Sequence, residues 1–171
     1  MLRKSKVKGI TSQNIDTIYQ KIMRYCTYQD RSIIQVRSKL NLLGTNTIQS
    51  KKIIELLIHD NCVNESRYVE SIVLGRFKQL HWGIIRISNY LQQQMIPITI
   101  INEAMLVLNN EEYKQKMFDI YEKYKSKYPN ISLLEIQNKA FQYLYKKGFS
   151  YNDIVNTIPL VGIINDPLDK I

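Results

Sequence analysis

Five basic side chains stand on what read as outward helix faces: Arg67, Lys78, Arg86, Lys139 and Lys146. Cations spread in this way form charge-assisted hydrogen bonds with carboxylates or phosphates, so the chemistry they offer is recognition of an anionic partner. Arg86 and Lys139 share one register position, five residues before Leu91 and Leu144, and Gln35 holds that place before Leu40. A basic position repeated on stacked segments can follow a repeating partner; taken singly, each also reads as an ordinary solvated face. Trp82, next to Gly83 in a turn, either anchors a partner or plugs the packing between segments. Arg76 falls inside an apolar stripe. It reads as an arginine reaching along the core edge to a carboxylate or a helix end, or else as a partner contact.

Nothing in the chain assembles a known catalytic scheme. His59 and His81 have no acid or cysteine at ligand spacing, and Cys26 and Cys62 have no metal-ligand spacing. The HExxH, GxGxxG, P-loop, GxSxG and CxxC patterns are absent, and Glu111-Glu112 does not single out a general acid or base. The expectation is a binding protein without metal or cofactor, not an enzyme. The cysteines read as reduced, buried thiols of a cytoplasmic protein. No apolar run approaches the roughly 18 residues of a membrane span. The basic N-terminus lacks the apolar stretch of a secretory signal, so neither a membrane nor export is expected.

The elements that must position these residues are helices. Strand alternation is absent, and only four prolines and six glycines interrupt a chain that is 44% hydrophobic. Helical periodicity predicts helices over Ile15–Thr27, up to Leu43 from a cap at Asp30 or Ser32, and Ile48–His59. Further helices are predicted over Asn64–Leu80, Gly83–Met95, a short one opened by Pro97, Asn110–Lys127, Ser132–Lys147 and Tyr151–Thr157. On the fourth helix Val69, Ile72, Val73, Phe77 and Leu80 make the buried stripe, with Arg67, Ser71, Leu74 and Lys78 opposite. Gly83 is expected to permit a tight turn between helices.

A repeat emerges when Leu40, Leu91 and Leu144 are placed in register, at separations of 51 and 53 residues. The preceding helix face then carries Ile33 and Val36, Ile84 and Ile87, or Gln137 and Ala140. Four residues after each leucine stand Gly44, Met95 and Gly148, where the helix should turn, and each short helix that follows carries Ile53, Ile101 or Ile154. The predicted organisation is a basic arm over 1–14 and repeats over 15–62, 63–109 and 110–158. An irregular tail follows over 159–171. The fold class is all-α: three tandem three-helix repeats in an elongated, curved array. Such modules bury little alone and must stack, so Leu40, Leu91 and Leu144 are structural, and a monomer suffices.

The net charge is +9, of which Arg3, Lys4, Lys6 and Lys8 supply four in a segment without acids. Twelve tyrosines suit a core or an interface equally.

The stretch over 63–96 resembles the RecX family of regulatory proteins. The matching pieces are Asn64-Glu65-Ser66-Arg67-Tyr68, Arg76-Phe77, Trp82-Gly83, Arg86-Ile87, Leu91 and Met95-Ile96. Arg-Tyr followed by a Gly-x-x-Arg-Ile turn is the specific part. Ser38-Lys39-Leu40 and Gly44 fit the first repeat; Tyr143-Leu144, Lys146-Lys147-Gly148-Phe149 and Ile154 fit the third, so the resemblance covers about residues 18–158. Val69 stands where members usually carry a small residue, and Gln94-Met95 replaces a common Lys-Gly. The resemblance implies three tandem three-helix repeats and binding to the RecA recombinase on its single-strand DNA filament. It also implies modulation, usually inhibition, of that filament in DNA repair, recombination and the SOS response. On that basis Arg67, Lys78, Trp82, Arg86, Lys139 and Lys146 become candidate contacts to RecA or the DNA backbone, with weak, sequence-independent DNA contact. Two other readings compete: a direct DNA-binding protein of helix-turn-helix type, and a protein scaffold unconnected with DNA. The dispersed basic residues favour backbone contact over base reading.

Overall fold

The computed structural model describes residues 12–158, with side chains from residue 15. The four basic residues of the N-terminal arm and the tail over 159–171 lie outside the described residues. Nine helices and no strand occur among the described residues: α1 (Ser12–Tyr28), α2 (Ile33–Leu42), α3 (Thr47–His59), α4 (Glu65–Leu80), α5 (Ile84–Gln93), α6 (Ile98–Met105), α7 (Asn110–Ser126), α8 (Leu133–Lys147) and α9 (Tyr151–Thr157). None is long and apolar enough to cross a membrane.

Polar side chains set the helix starts. Ser32 caps α2 and Asn46 caps α3, each in a reciprocal box with Gln35 or Gln49. Asn64 Oδ1 accepts from the Arg67 N–H at 3.0 Å, and Asn109, Ser132 and Ser150 open α7, α8 and α9. Of the two candidate caps for α2, Ser32 holds the position, and Asp30 instead accepts from Arg67. Pro97 is the residue before α6, where its carbonyl accepts from Ile101 at 3.1 Å.

The ends of α2, α5 and α8 are alike. Leu40, Leu91 and Leu144 are each 0% exposed, and their carbonyls accept from Thr45, Ile96 and Phe149, each at 3.2 Å. The residue between, Gly44, Met95 or Gly148, is left-handed, at φ of 85°, 58° and 90°. This is the six-to-one closure of a Schellman ending, which recovers carbonyls that a helix end leaves unpaired. Ile53, Ile101 and Ile154, on the helices that follow, are also 0% exposed.

The chain falls into two compact units, Met1–Tyr68 and Val69–Ile171. In the first, α1, α2 and α3 pack pairwise around Ile18, Ile22, Cys26, Val36, Leu40, Ile53, Ile54, Leu57 and Val63. Thr45 and Ser50 are buried and share a hydroxyl–hydroxyl bond of 2.8 Å, so neither is left unsatisfied. Arg67 closes this unit: Nε donates to Asp30 at 2.7 Å, and its terminal nitrogens donate to the side chain and carbonyl of Asn61, each at 3.3 Å. Asn61 is left-handed at φ 53°, a conformation asparagine tolerates better than most residues.

In the second unit α7, α8 and α9 pack on one another, and α5 packs on α6. The α4 residues Val69, Val73 and Phe77 are buried as expected, and Ile72 is half-buried. Leu80 departs from the expected stripe. It is 39% exposed at the last residue of the helix, where its carbonyl accepts from the Lys147 ammonium at 3.2 Å. Phe77 stacks on Tyr113 at 5.7 Å between centroids, and Tyr113 meets Phe149 at 5.2 Å.

Candidate partner-binding surface

The start of α5 has no side-chain cap, since Gly83 occupies that position. Tertiary partners take its N–H groups instead. The Gly83 N–H donates to the Lys147 carbonyl at 2.8 Å, the Ile85 N–H to the Gly148 carbonyl at 3.0 Å, and the Ile84 N–H to the Tyr113 hydroxyl at 3.3 Å. The unpaired donors of one helix thus meet the unpaired acceptors of another, with opposite dipole ends facing. Burial pushes the Tyr113 phenol up, so it stays protonated while its oxygen accepts from Ile84.

Gly83 has φ −79° and ψ 167°, ordinary extended backbone. Its glycine identity follows from contact and not from torsion. A Cβ there would stand 2.3 Å from the Gly148 carbonyl atoms and the Phe149 nitrogen. Gly148 has both constraints: φ is 90°, and its own Cβ would meet the Arg86 Cβ at 2.3 Å.

This junction holds the Trp82 turn. The Arg86 guanidinium lies 4.4 Å from the centre of the Trp82 ring, and that of Arg76 lies 5.1 Å from it. Arg76 also sits 4.7 Å over Tyr90 and donates to the Tyr90 hydroxyl at 3.2 Å, while Trp82 and Tyr90 meet edge-on at 5.8 Å. Two cations and two aromatic rings therefore alternate in one cluster. Each cation–ring contact is worth about 0.5–1 kcal/mol where exposed, and more where water is excluded. Arg76 meets ring faces and a phenol here, not the carboxylate or helix end expected of it. Trp82 is half-buried within the cluster, and Arg86 is exposed. Arg86 also donates to the Lys146 carbonyl at 3.3 Å, which brings α5 to the exposed Lys146 on α8.

The remaining candidates are separate from this cluster. Lys78 lies 3.6 Å from Glu112, with both side chains about half exposed. Lys139 pairs with Glu135 at 2.8 Å on the surface of α8, and that bond holds its ammonium above the usual lysine range. Arg67 belongs to the first unit, where Asp30 and Asn61 engage its guanidinium.

Sequence reasoning passed over Tyr113 and gave Lys147 no role beyond its place in a matching segment, since both roles depend on residues far along the chain. It also passed over an open groove of about 520 Å³ lined by residues of α7, by Lys127 and Tyr128 just after it, by Tyr143 of α8 and by His81. Its signal on α7 was readable, since Lys116, Lys123 and Lys127 lie at helical spacing with Tyr124 and Tyr128 between and beside them.

No family model matches the chain. It is 26% identical over 155 residues to the regulatory protein RecX of Lactobacillus johnsonii, covering 89% of this chain and 57% of that one. Against the regulatory protein RecX of Streptococcus uberis it is 31% identical over 135 residues, covering 78% of this chain and 51% of the relative. The crystal structure of RecX from Lactobacillus salivarius superimposes with a TM-score of 0.80 at 28% identity, over 86% of this chain and 96% of that one. The chain belongs to the RecX family. The shared all-helical fold carries the assignment together with identity spread over most of the chain. This RecX-family chain spans about half the length of the curated relatives it matches. Those relatives are regulatory proteins by name.

Proposed function

We propose that this RecX-family chain binds the RecA recombinase on its single-strand DNA filament and lowers its ATP hydrolysis, strand exchange and co-protease output. It would do so in the cytoplasm, as a monomer and without chemistry of its own, in the regulation of DNA repair and the SOS response. The observation that carries the reading is the likeness to RecX over 96% of a solved chain, with the exposed Arg86 held over Trp82 on a backbone-locked junction. A cation whose position is set by an aromatic ring and a carbonyl loses little freedom on binding, which favours specific recognition. Arg86, Trp82 and Lys146 are the core of the proposed contact, with Lys78, Lys139 and Arg67 as further cations. Three repeats over 15–62, 63–109 and 110–158 would present them, and the family likeness supports this reading over a helix-turn-helix DNA reader.

The test is RecA ATP hydrolysis on single-stranded DNA, with this protein titrated at substoichiometric ratios. Inhibition well below one copy per RecA is expected. An unchanged hydrolysis rate at all ratios would reject the reading.

A further inference from the structure

Outside the Trp82 cluster, α7 and α8 form the groove of about 520 Å³ that His81 also lines. Lys116 and Lys123 of α7 and Lys127, the residue that follows it, lie along one wall, and Asp119 is the acid among the lining residues. Asp119 already accepts from Gln115 at 2.8 Å, and no ion pair engages the three lysines among the described residues. The Gln115 amide leaves the Asp119 carboxylate charged, so the three lysines outweigh the one acid and the groove is net positive. The aromatic wall is Tyr124, Tyr128 and Tyr143. Tyr124 stacks on Tyr143 at 5.4 Å and 30° between ring planes, and it meets Tyr128 at 5.2 Å. Tyr128 and Tyr143 are 40% and 38% exposed; the Lys147 ammonium lies 5.6 Å from the centre of the Tyr143 ring, so Tyr128 is the less covered of the two.

We propose that this groove is a binding site for a single strand of nucleic acid, with phosphates along Lys116, Lys123 and Lys127 and a base stacked on Tyr128 beside the edge of Tyr143. An anionic groove ligand is required by the charge. The partly exposed tyrosine rings decide which anion: a ring face carries the negative end of the aromatic quadrupole, so it gains nothing from a carboxylate but stacks readily on a base. Size agrees. From Lys116 to Lys127 the helix runs roughly 16 Å at 1.5 Å per residue, the length of roughly five nucleotides at the 3.4 Å spacing of a stacked strand. A duplex hides its base faces and could use only the lysines. His81 supplies a reporter. Burial first, then Lys116, lowers its imidazole pKa, and phosphates in the groove would raise it again.

This site does not rest on the recombinase reading, because its test contains no recombinase. Fluorescence anisotropy would follow the purified protein with labelled oligothymidylate and oligouridylate, and with a duplex and polyglutamate as competitors. Binding of either strand is expected, with the duplex and polyglutamate competing at least tenfold more weakly. Tyr128→Leu with Tyr143→Leu should weaken strand binding by about tenfold or more. Lys123→Gln with Lys127→Gln should reduce the slope of log affinity against log salt by roughly 1.4. In NMR titrations the His81 pKa should rise with the strand, while His59, in the other unit, stays put. The proposal is overturned if no strand binds at low salt, if polyglutamate or duplex competes equally, or if the tyrosine variants bind like the parent while their circular dichroism is unchanged.

Discussion

Gly83 and Gly148 meet backbone to backbone: a Cβ on Gly83 would lie 2.3 Å from the carbonyl carbon and oxygen of Gly148. That approach lets the Gly83 N–H reach the Lys147 carbonyl at 2.8 Å and the Ile85 N–H reach the Gly148 carbonyl at 3.0 Å. Gly83→Ala should therefore force the two backbones apart and break both bonds. We expect a loss of about 2–3 kcal/mol, the upper range for overpacking, read as a lower urea midpoint at unchanged slope. Gly148→Ala should cost more, since left-handed strain of about 1–2 kcal/mol adds to the clash. A midpoint within error of the parent for Gly83→Ala would show that the contact relaxes freely.

Met95 should respond in the opposite sense. It holds φ 58° where the equivalent positions carry Gly44 and Gly148, and its side chain is 79% exposed, so little packing would be lost. Met95→Gly relieves the left-handed strain but adds freedom to the unfolded chain. The net expectation is a gain of roughly 0.5–1 kcal/mol by denaturant titration, whereas Met95→Ala, which keeps the strain, should change little. Equal midpoints for the two variants would contradict this account.

Filament binding, as proposed, depends on cations of the second unit. Arg86→Glu, Lys139→Glu and Lys146→Glu combined should weaken affinity for RecA filaments by at least about tenfold, with most of the effect disappearing at high salt. Helix content by circular dichroism should persist, because none of the three side chains is buried. Unaltered filament affinity in a folded triple variant would remove these residues from the contact.

Alkaline pH should loosen the first unit. Burial pushes the Cys26 thiol up to about 11, and the hydrogen bond to Asp60, then burial, pushes the Tyr19 phenol up to about 12. Both groups are neutral when protonated, and both folded values exceed the ordinary values near 9 and 10. Their contribution is fully present below those ordinary values and is lost as pH rises toward 11 and 12. Thermal midpoints should fall across pH 9–12, and the fall should be shallower in a Cys26→Ala, Tyr19→Phe protein. The half-buried Cys62 should react with a thiol reagent at pH 8 well before Cys26, which is 4% exposed; the reverse order would place the Cys26 thiol in water.

Local chemistry is legible in the sequence. Asn64, Ser132 and the leucine register read directly, and Ser32 stood as one of two candidate caps with Asp30, because caps and a 3.6-residue period are properties of a few neighbouring residues. The likeness of Gly44, Met95 and Gly148 was equally visible as spacing, and left-handed backbone at all three gives it a physical cause. Tertiary structure decided what each candidate residue touches. Arg76 turned to Trp82 and Tyr90 instead of a carboxylate, and Arg67 was drawn to Asp30. Leu80 came to the surface where α4 ends, and Gly83 proved necessary for a neighbour 65 positions away. These outcomes depend on pairs distant in the chain. Periodicity along one helix specifies which face is buried, but only packing specifies the partner that meets it.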